Sequence, residues 1–394
     1  MERPMRVALF VAAVLPPIAL AAQAPKTLTI TRDLLVPPSD ADLSATGSMA
    51  VSPRGVILVG QMDDNLIKVF GPDGATGTIG RKGSGPGEFQ RVTRIGFLGD
   101  SVWALDPVLM RVNVYGPDFK DVRTFPQPMS AMNGAANRPV SYFIQAVLPG
   151  GDLRAIASLR QTAPRPSWAT DVDSGATLLV RISPAGDYKR RLLVAPRSKC
   201  QVSYTFDKGS GSTMIPFCPE RVSTDWFGSI GVASVDVEDE PGKSKSYRVS
   251  VVDELGVTRF ARSFPFTPLT ISKAALDSFA VRRKESQKGM PPQMVAAIPV
   301  LAPRTTYPPI RRVVLGRDYS VWLEERIAGP GHRWLVLDPK GATVGAVMLP
   351  PEVELQVAEL GTLWGLTKDA DDVQGVVRYR VGRCSPGWWW RSVC

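Results

Sequence analysis

A chain of 394 residues with 47 Lys and Arg, 37 Asp and Glu, one histidine and four cysteines is long enough for a large core and carries a formal charge of +10. A single histidine excludes zinc centres built on two or three imidazoles and any mechanism that needs a second one. The cations are dispersed, as in Arg190-Arg191, Arg282-Arg283-Lys284 and Arg311-Arg312, with no interleaved aromatics, so nucleic acid is not an expected partner and weak attraction to anionic surfaces is.

Residues 1–24 read as a signal peptide. Arg3 and Arg6 flank the start of a mostly apolar run, Val7 to Leu20, and Ala22-Gln23-Ala24 fits a small-x-small cleavage site. Pro16-Pro17 interrupts that run, which is shorter than the roughly 20 residues of a membrane span. The mature chain is therefore expected to lack a transmembrane span and to reside in the periplasm or outside the cell. Export puts the cysteines in an oxidising compartment, where pairing is the rule. Four cysteines allow three connectivities. The local pairs Cys200–Cys218 and Cys384–Cys394 are expected, because each closes a segment with little else to order it.

From residue 25 onward the chain is a series of short apolar runs bounded by Gly, Pro and Asp turns, the pattern of antiparallel strands. Thr27 to Thr31 alternates polar and apolar residues. Ile57-Leu58-Val59 is followed by the turn Met62-Asp63-Asp64-Asn65, then by Leu66 to Phe70 and the turn Gly71-Pro72-Asp73-Gly74. Weaker copies recur. Anchored on the apolar residue before the second turn, they fall at Phe70, Tyr115, Ile182, Val252, Leu337 and Val381. The shortest separations match the roughly 40–50 residues of one four-stranded propeller blade.

Six anchors predict an all-β chain, a six-bladed β-propeller of four-stranded antiparallel blades over residues 25–383. Loop insertions are expected near 126–140, 160–175, 196–225 and 265–310. The last of these holds the one credible helix, capped by Ser272 and ended by Gly289, with Ala275, Leu276, Phe279 and Ala280 on one face. It is expected to pack on the propeller edge. The last copy, Leu363 to Val381, has space for about two strands, so the Thr27–Thr31 strand is expected to complete the final blade and leave no long free edge. The tail 384–394, with Trp388-Trp389-Trp390, is expected to fold back onto the propeller.

The Gly-rich crossover Gly83-Ser84-Gly85-Pro86-Gly87-Glu88-Phe89 lacks the spacing of a nucleotide-binding loop. Its glycines suit a tight jump between blades, with Phe89 packed between them. Here the chain resembles the NHL-repeat group of six-bladed β-propellers in the TolB-like superfamily. The residues that carry the likeness are Asp64-Asn65, Ile67 to Phe70, Pro72-Asp73-Gly74 and Gly83-x-Gly85-Pro86-Gly87-Glu88-Phe89. The second copy repeats it in Ala104-Leu105-Asp106, Arg111 to Tyr115 and Pro117-Asp118. The stretch 308–382 resembles exported bacterial six-bladed propellers of unknown function.

That resemblance implies a monomeric, non-catalytic ligand-binding or protein-interaction scaffold, with its ligand at one mouth of the axis and a protein or anionic polysaccharide of the cell envelope as partner. No cofactor is expected. The alternative implied by six-bladed lactonases and gluconolactonase-like proteins is a calcium-dependent lactonase or esterase-like hydrolase. Its axial calcium would be held by Asp, Glu and Asn of inner strands. The four Asn, at 65, 113, 133 and 137, count against that site. The acids 236–240 and 369–372 read as hairpin tips, and His332 as a solvated turn residue. Converging acids at the mouth would point to metal; aromatics and arginines would point to an organic anion or sugar.

Overall fold

The computed structural model describes residues 25–382 apart from 73–74, 121, 129–139, 160–163, 174–175, 196–198, 208, 219–221, 225–230 and 239–244. Six four-stranded antiparallel sheets follow one another along the chain. The first blade holds β2 (Thr46–Val51), β3 (Ile57–Gln61), β4 (Leu66–Phe70) and β5 (Thr76–Ile79); the second holds β6 (Arg94–Leu98), β7 (Ser101–Asp106), β8 (Arg111–Tyr115) and β9 (Val122–Pro126). The third is built from β10 (Val140–Val147), β11 (Leu153–Leu159), β12 (Thr177–Ile182) and β13 (Tyr188–Ala195). The fourth is built from β16 (Val222–Thr224), β17 (Gly231–Glu238), β18 (Ser246–Asp253) and β19 (Thr258–Pro265). The fifth comprises β20 (Ile310–Leu315), β21 (Val321–Glu325), β22 (His332–Leu337) and β23 (Thr343–Leu349). The sixth comprises β24 (Val353–Glu359), β25 (Thr362–Lys368), β26 (Gln374–Gly382) and β1 (Thr29–Val36). Every predicted anchor lies on the third strand of its blade.

Alternation explains why the sheets must ring an axis. On β7, Trp103 and Leu105 pack toward the third blade, whereas Val102 and Ala104 pack toward the first. Both faces are apolar, so each blade needs a neighbour on either side. Gly96, opposite Trp103 on the neighbouring strand, leaves room for the indole to lie on that face: a Cβ there would lie 2.6 Å from the ring. The first strands of adjacent blades meet around the axis, β2 with β6 and β24, β6 with β10, and β20 with β16 and β24.

β1 closes the ring. It pairs antiparallel with β26 from Thr29 opposite Gly382 to Val36 opposite Val376. The strand runs later than the expected Thr27–Thr31, because Leu28 is held instead by the fifth blade, its N–H donating to the Ala346 carbonyl. Pro37 and Pro38 end it. A bulge between Arg32 and Leu34 turns Asp33 toward Arg378 and Arg380, at 2.9 and 2.6 Å.

Strand direction assigns two unlike ends to the propeller. First strands begin, and fourth strands end, on the face that also carries the turns between second and third strands. All four insertions emerge there. On the other face the turns are tight, such as Gly99-Asp100, Leu360-Gly361 and Asp338 to Ala342.

The insertions have more order than expected. Residues 201–214 form a hairpin, β14 (Gln201–Phe206) with β15 (Gly209–Met214), rather than an irregular loop. Cys200 and Cys218 are bonded across its base, their Cα atoms 5.6 Å apart. Among the described residues there are three α-helices, α1 (Pro38–Ala41), α2 (Lys273–Ser286) and α3 (Pro292–Ala297), and a 3-10 turn at Ser167–Ala169. α2 is the predicted helix. Ser272 accepts from the Ala275 N–H, and the helix stops at Gln287, ahead of Gly289 at φ 81°. None of its residues is buried and Ala280 is exposed, since the helix leans on the hairpin base through Phe279 and Phe217, ring centroids 5.5 Å apart, rather than on a blade.

The signal peptide, Cys384, Cys394 and Trp388–Trp390 lie outside the described residues. Among the described residues no helix is long and apolar enough to cross a membrane. Cys200→Ser is expected to cost about 3 kcal/mol, because the bond closes a loop of 18 residues. The check is denaturant unfolding of the variant against the oxidised parent.

Candidate functional site

A pocket on the insertion-bearing face lies between the fourth and fifth blades, at the root of the insertion 266–309. Its volume is about 420 Å³. Two short stretches close the neck of that insertion: the Ile271 N–H donates to the Thr305 carbonyl and the Tyr307 N–H to the Leu269 carbonyl. Phe266, Thr267 and Leu269 therefore face Tyr307, Pro308 and Pro309 across the cleft. The prolines keep this wall extended and without donors of its own. Blade ends supply the floor. Tyr247 opens β18 beside Pro265 at the end of β19, and Glu325, Arg326 and Ile327 leave β21 as Arg333 enters β22.

The charges in this pocket are unevenly matched. Glu325 pairs with Arg333. Arg326 has no ion pair and no side-chain hydrogen bond among the described residues, and its Nε is buried without an acceptor. Its guanidinium lies over the Tyr307 ring, 4.7 Å from the centroid, and its backbone N–H donates to the Pro309 carbonyl. Burial lowers the Arg326 pKa and the Arg311 charge lowers it further, against the pull of Tyr307 and Glu324. Burial pushes the Tyr247 phenol up to about 12, tempered by Arg333, so it keeps its proton and can donate. Phe217, next to Cys218, meets Tyr307 edge-on at 5.6 Å. It does so at φ 56°, a strained conformation for a bulky side chain.

The other flank of the fifth blade carries a second cluster. Glu324, 2% exposed, forms an ion pair with Arg311 Nη1 at 3.1 Å and sits 2.8 Å from His332 Nδ1. His332 Nε2 is 3.3 Å from the Pro351 carbonyl. The histidine is thus not a solvated turn residue. It opens β22, and strand pairing sets it beside a buried carboxylate.

The repeat-motif residues lie elsewhere, Phe70 between the first and sixth blades and Phe89 of the crossover between the first and second. Asn65 takes φ 58° in its turn, and Asp64 accepts from the Ser44 hydroxyl at 2.7 Å. Phe70 and Phe89 are fully buried. Of the crossover glycines only Gly87 uses a positive φ. Gly83 and Gly85 make room for the Glu88 carboxylate, which a Cβ at Gly83 would meet at 2.1 Å. Glu88 accepts from the Gly85 N–H at 2.7 Å and from Arg81 Nε at 2.9 Å, and these bonds hold its pKa below the ordinary value. Pro86 lies within this loop, and Gly74 is outside the described residues. Arg111 braces the crossover by donating to the carbonyls of Ser84, Gly85 and Glu88. Sequence reasoning passed over that role, because these carbonyls meet Arg111 only when β8 forms.

Calcium needs six to eight oxygens. Among the described residues no three His, Cys, Asp or Glu side chains converge. Asn113 is committed to Thr124 and to the Glu88 carbonyl, and Asn133 and Asn137 lie outside the described residues. Asp369 caps its own hairpin by accepting from the 371 and 373 N–H groups. Asp236 and Glu238 lie within β17 rather than at a tip, since the strand runs further than the sequence suggests. These residues do not form a calcium cage.

No family model and no curated protein sequence matches the chain. Solved structures with a similar course include the PQQ-bound aldose sugar dehydrogenase of Streptomyces coelicolor, at 12% identity and TM-score 0.41, covering 91% of this chain and 99% of that one. Virginiamycin B lyase of Staphylococcus aureus follows at 10% and 0.40, covering 90% and 99%. The calcium-binding protein regucalcin of Agrobacterium tumefaciens stands at 10% and 0.39, covering 92% and 98%. Several of these names are enzymes, but at this likeness the names lend this chain no activity.

Proposed function

We propose that the chain is an NHL-type, TolB-like propeller that binds a small organic ligand at the root of its largest insertion. The observation that carries the reading is the makeup of the pocket: aromatics and arginines line it, not converging acids. Loops carry function when a rigid scaffold positions them, and here every insertion rises from one face. The site stands between two blades, off the axial mouth where the sequence suggested it. Residence outside the cytoplasm is part of the proposal, supported by the Cys200–Cys218 bond. So are a monomeric state and a contact with the cell envelope, for which the net positive charge is the support.

A hydrolase is the second reading. What favours it is the Glu324–His332 pair, a carboxylate that orients an imidazole. One experiment separates the two. Purified protein is titrated with a panel of aryl carboxylates, sugars and γ-lactones, followed both by thermal shift and by product formation, with and without calcium. Ligand-dependent stabilisation without turnover is the expected result. Turnover of a lactone that His332→Gln abolishes would replace binding with catalysis.

A further inference from the structure

We infer that the pocket between the fourth and fifth blades selects a monocarboxylate with an aromatic body, the carboxylate pairing with Arg326 and the ring lying among Tyr247, Phe266 and Tyr307. The inference rests on the binding reading above and specifies its ligand class.

Charge balance comes first. Glu325 and Arg333 neutralise each other, which leaves the Arg326 guanidinium as the pocket's unmatched charge. The pocket is therefore short of one negative charge. Burial removes water and Arg311 adds repulsion that Glu324 and Tyr307 only partly offset, so the resting site holds a cation in a place that disfavours it. A carboxylate removes that cost, and its two oxygens suit the planar fork of a guanidinium. Tyr247 retains its phenolic proton and adds a neutral donor.

Shape selects the rest of the ligand. The Tyr307 ring already supports Arg326 from one side. Phe266 and Tyr247 lie 6.2 Å apart between centroids, and Pro265, Pro308 and Pro309 complete rigid apolar walls. A flat apolar body fits such walls with little loss of side-chain freedom. A sugar, with a hydroxyl on nearly every carbon, would leave those hydroxyls against proline and phenylalanine, without partners. A dianion would bring one charge more than the pocket can match.

The test is calorimetric titration of the oxidised protein with phenylacetate and with its neutral isostere phenylacetamide. Three proteins are compared: the parent, Arg326→Gln, and Thr267→Trp, which fills the rim. The parent is expected to prefer the carboxylate on the order of tenfold. Arg326→Gln should erase that preference while still binding the amide, and Thr267→Trp should bind neither. Equal affinity of the parent for both probes, or a preference that survives Arg326→Gln, overturns the inference and leaves the binding site standing. Absence of binding in the parent, or binding that survives Thr267→Trp, overturns the site itself. Melting temperatures matching the parent's establish that both variants are folded.

Discussion

Deleting residues 25–36 is expected to abolish cooperative folding rather than merely weaken it. β1 is the outer strand of the sixth blade, and without it β26 offers an unpaired edge from Val376 to Gly382. Leu28 and Val36 would also leave the apolar clusters on the two sides of that blade. Size-exclusion chromatography should show association, and heating should give a broad, early transition. A sharp transition near the parent's temperature would mean that the ring does not depend on this strand.

Asp33 tests the same closure more gently and through pH. Burial alone would raise its pKa, but hydrogen bonds and charge from Arg378 and Arg380 hold it below the ordinary carboxylate value. A lowered folded pKa contributes stability that is complete above the unfolded value, about 4. It is lost as pH falls through the folded value. Asp33→Ala should therefore cost about 1–3 kcal/mol at neutral pH and nothing once the pH lies well below both values. Chemical denaturation of parent and variant across pH 2–7 checks this, and a constant difference over that range would refute it.

The second large effect belongs to Asp106. This fully buried carboxylate accepts four backbone N–H groups: Gln90 at 2.7 Å, Arg91 at 3.3 Å, and Val108 and Leu109 at 2.9 Å each. It ties the crossover after Phe89 to the turn after β7. Asp106→Ala would orphan all four donors at once. The expected loss is about 3–5 kcal/mol, less than four separate bonds because the surroundings relax. Roughly 4–7 °C in melting temperature follows for a domain of this size. Asp106→Asn keeps one acceptor and should fall between. If Asp106→Ala melts with the parent, the crossover does not rely on this carboxylate.

The ring was readable because it is periodic. Phe70, Tyr115, Ile182, Val252, Leu337 and Val381 mark third strands through local alternation and turn chemistry, which need no knowledge of distant residues. The Cys200–Cys218 bond was readable for a similar reason: a short separation in a segment with few other means of order. The pocket was not. Tyr247, Tyr307 and Arg326 lie on a third strand, an insertion neck and a turn, and only the packing of one blade on the next unites them. A trace was present in Glu324-Glu325-Arg326, an acid pair and a cation closing an apolar strand. Alternation then sends Glu324 and Glu325 to opposite flanks of the blade, where one meets His332 and the other Arg333. The glycines of the crossover show the limit of a residue-type argument: Gly83 and Gly85 leave space for a carboxylate that folds back on them, and only Gly87 draws on dihedral freedom.

Thr29 and Gly382 face each other at the tight-turn end of the sixth blade, while the pocket opens at the opposite end. A molecule tethered by either of these positions, to a bead or a sensor chip, stands with its binding cleft pointing away from the support. Immobilised and free protein should then register the same affinity, and labels placed at residue 25 or 382 will not shade the cleft.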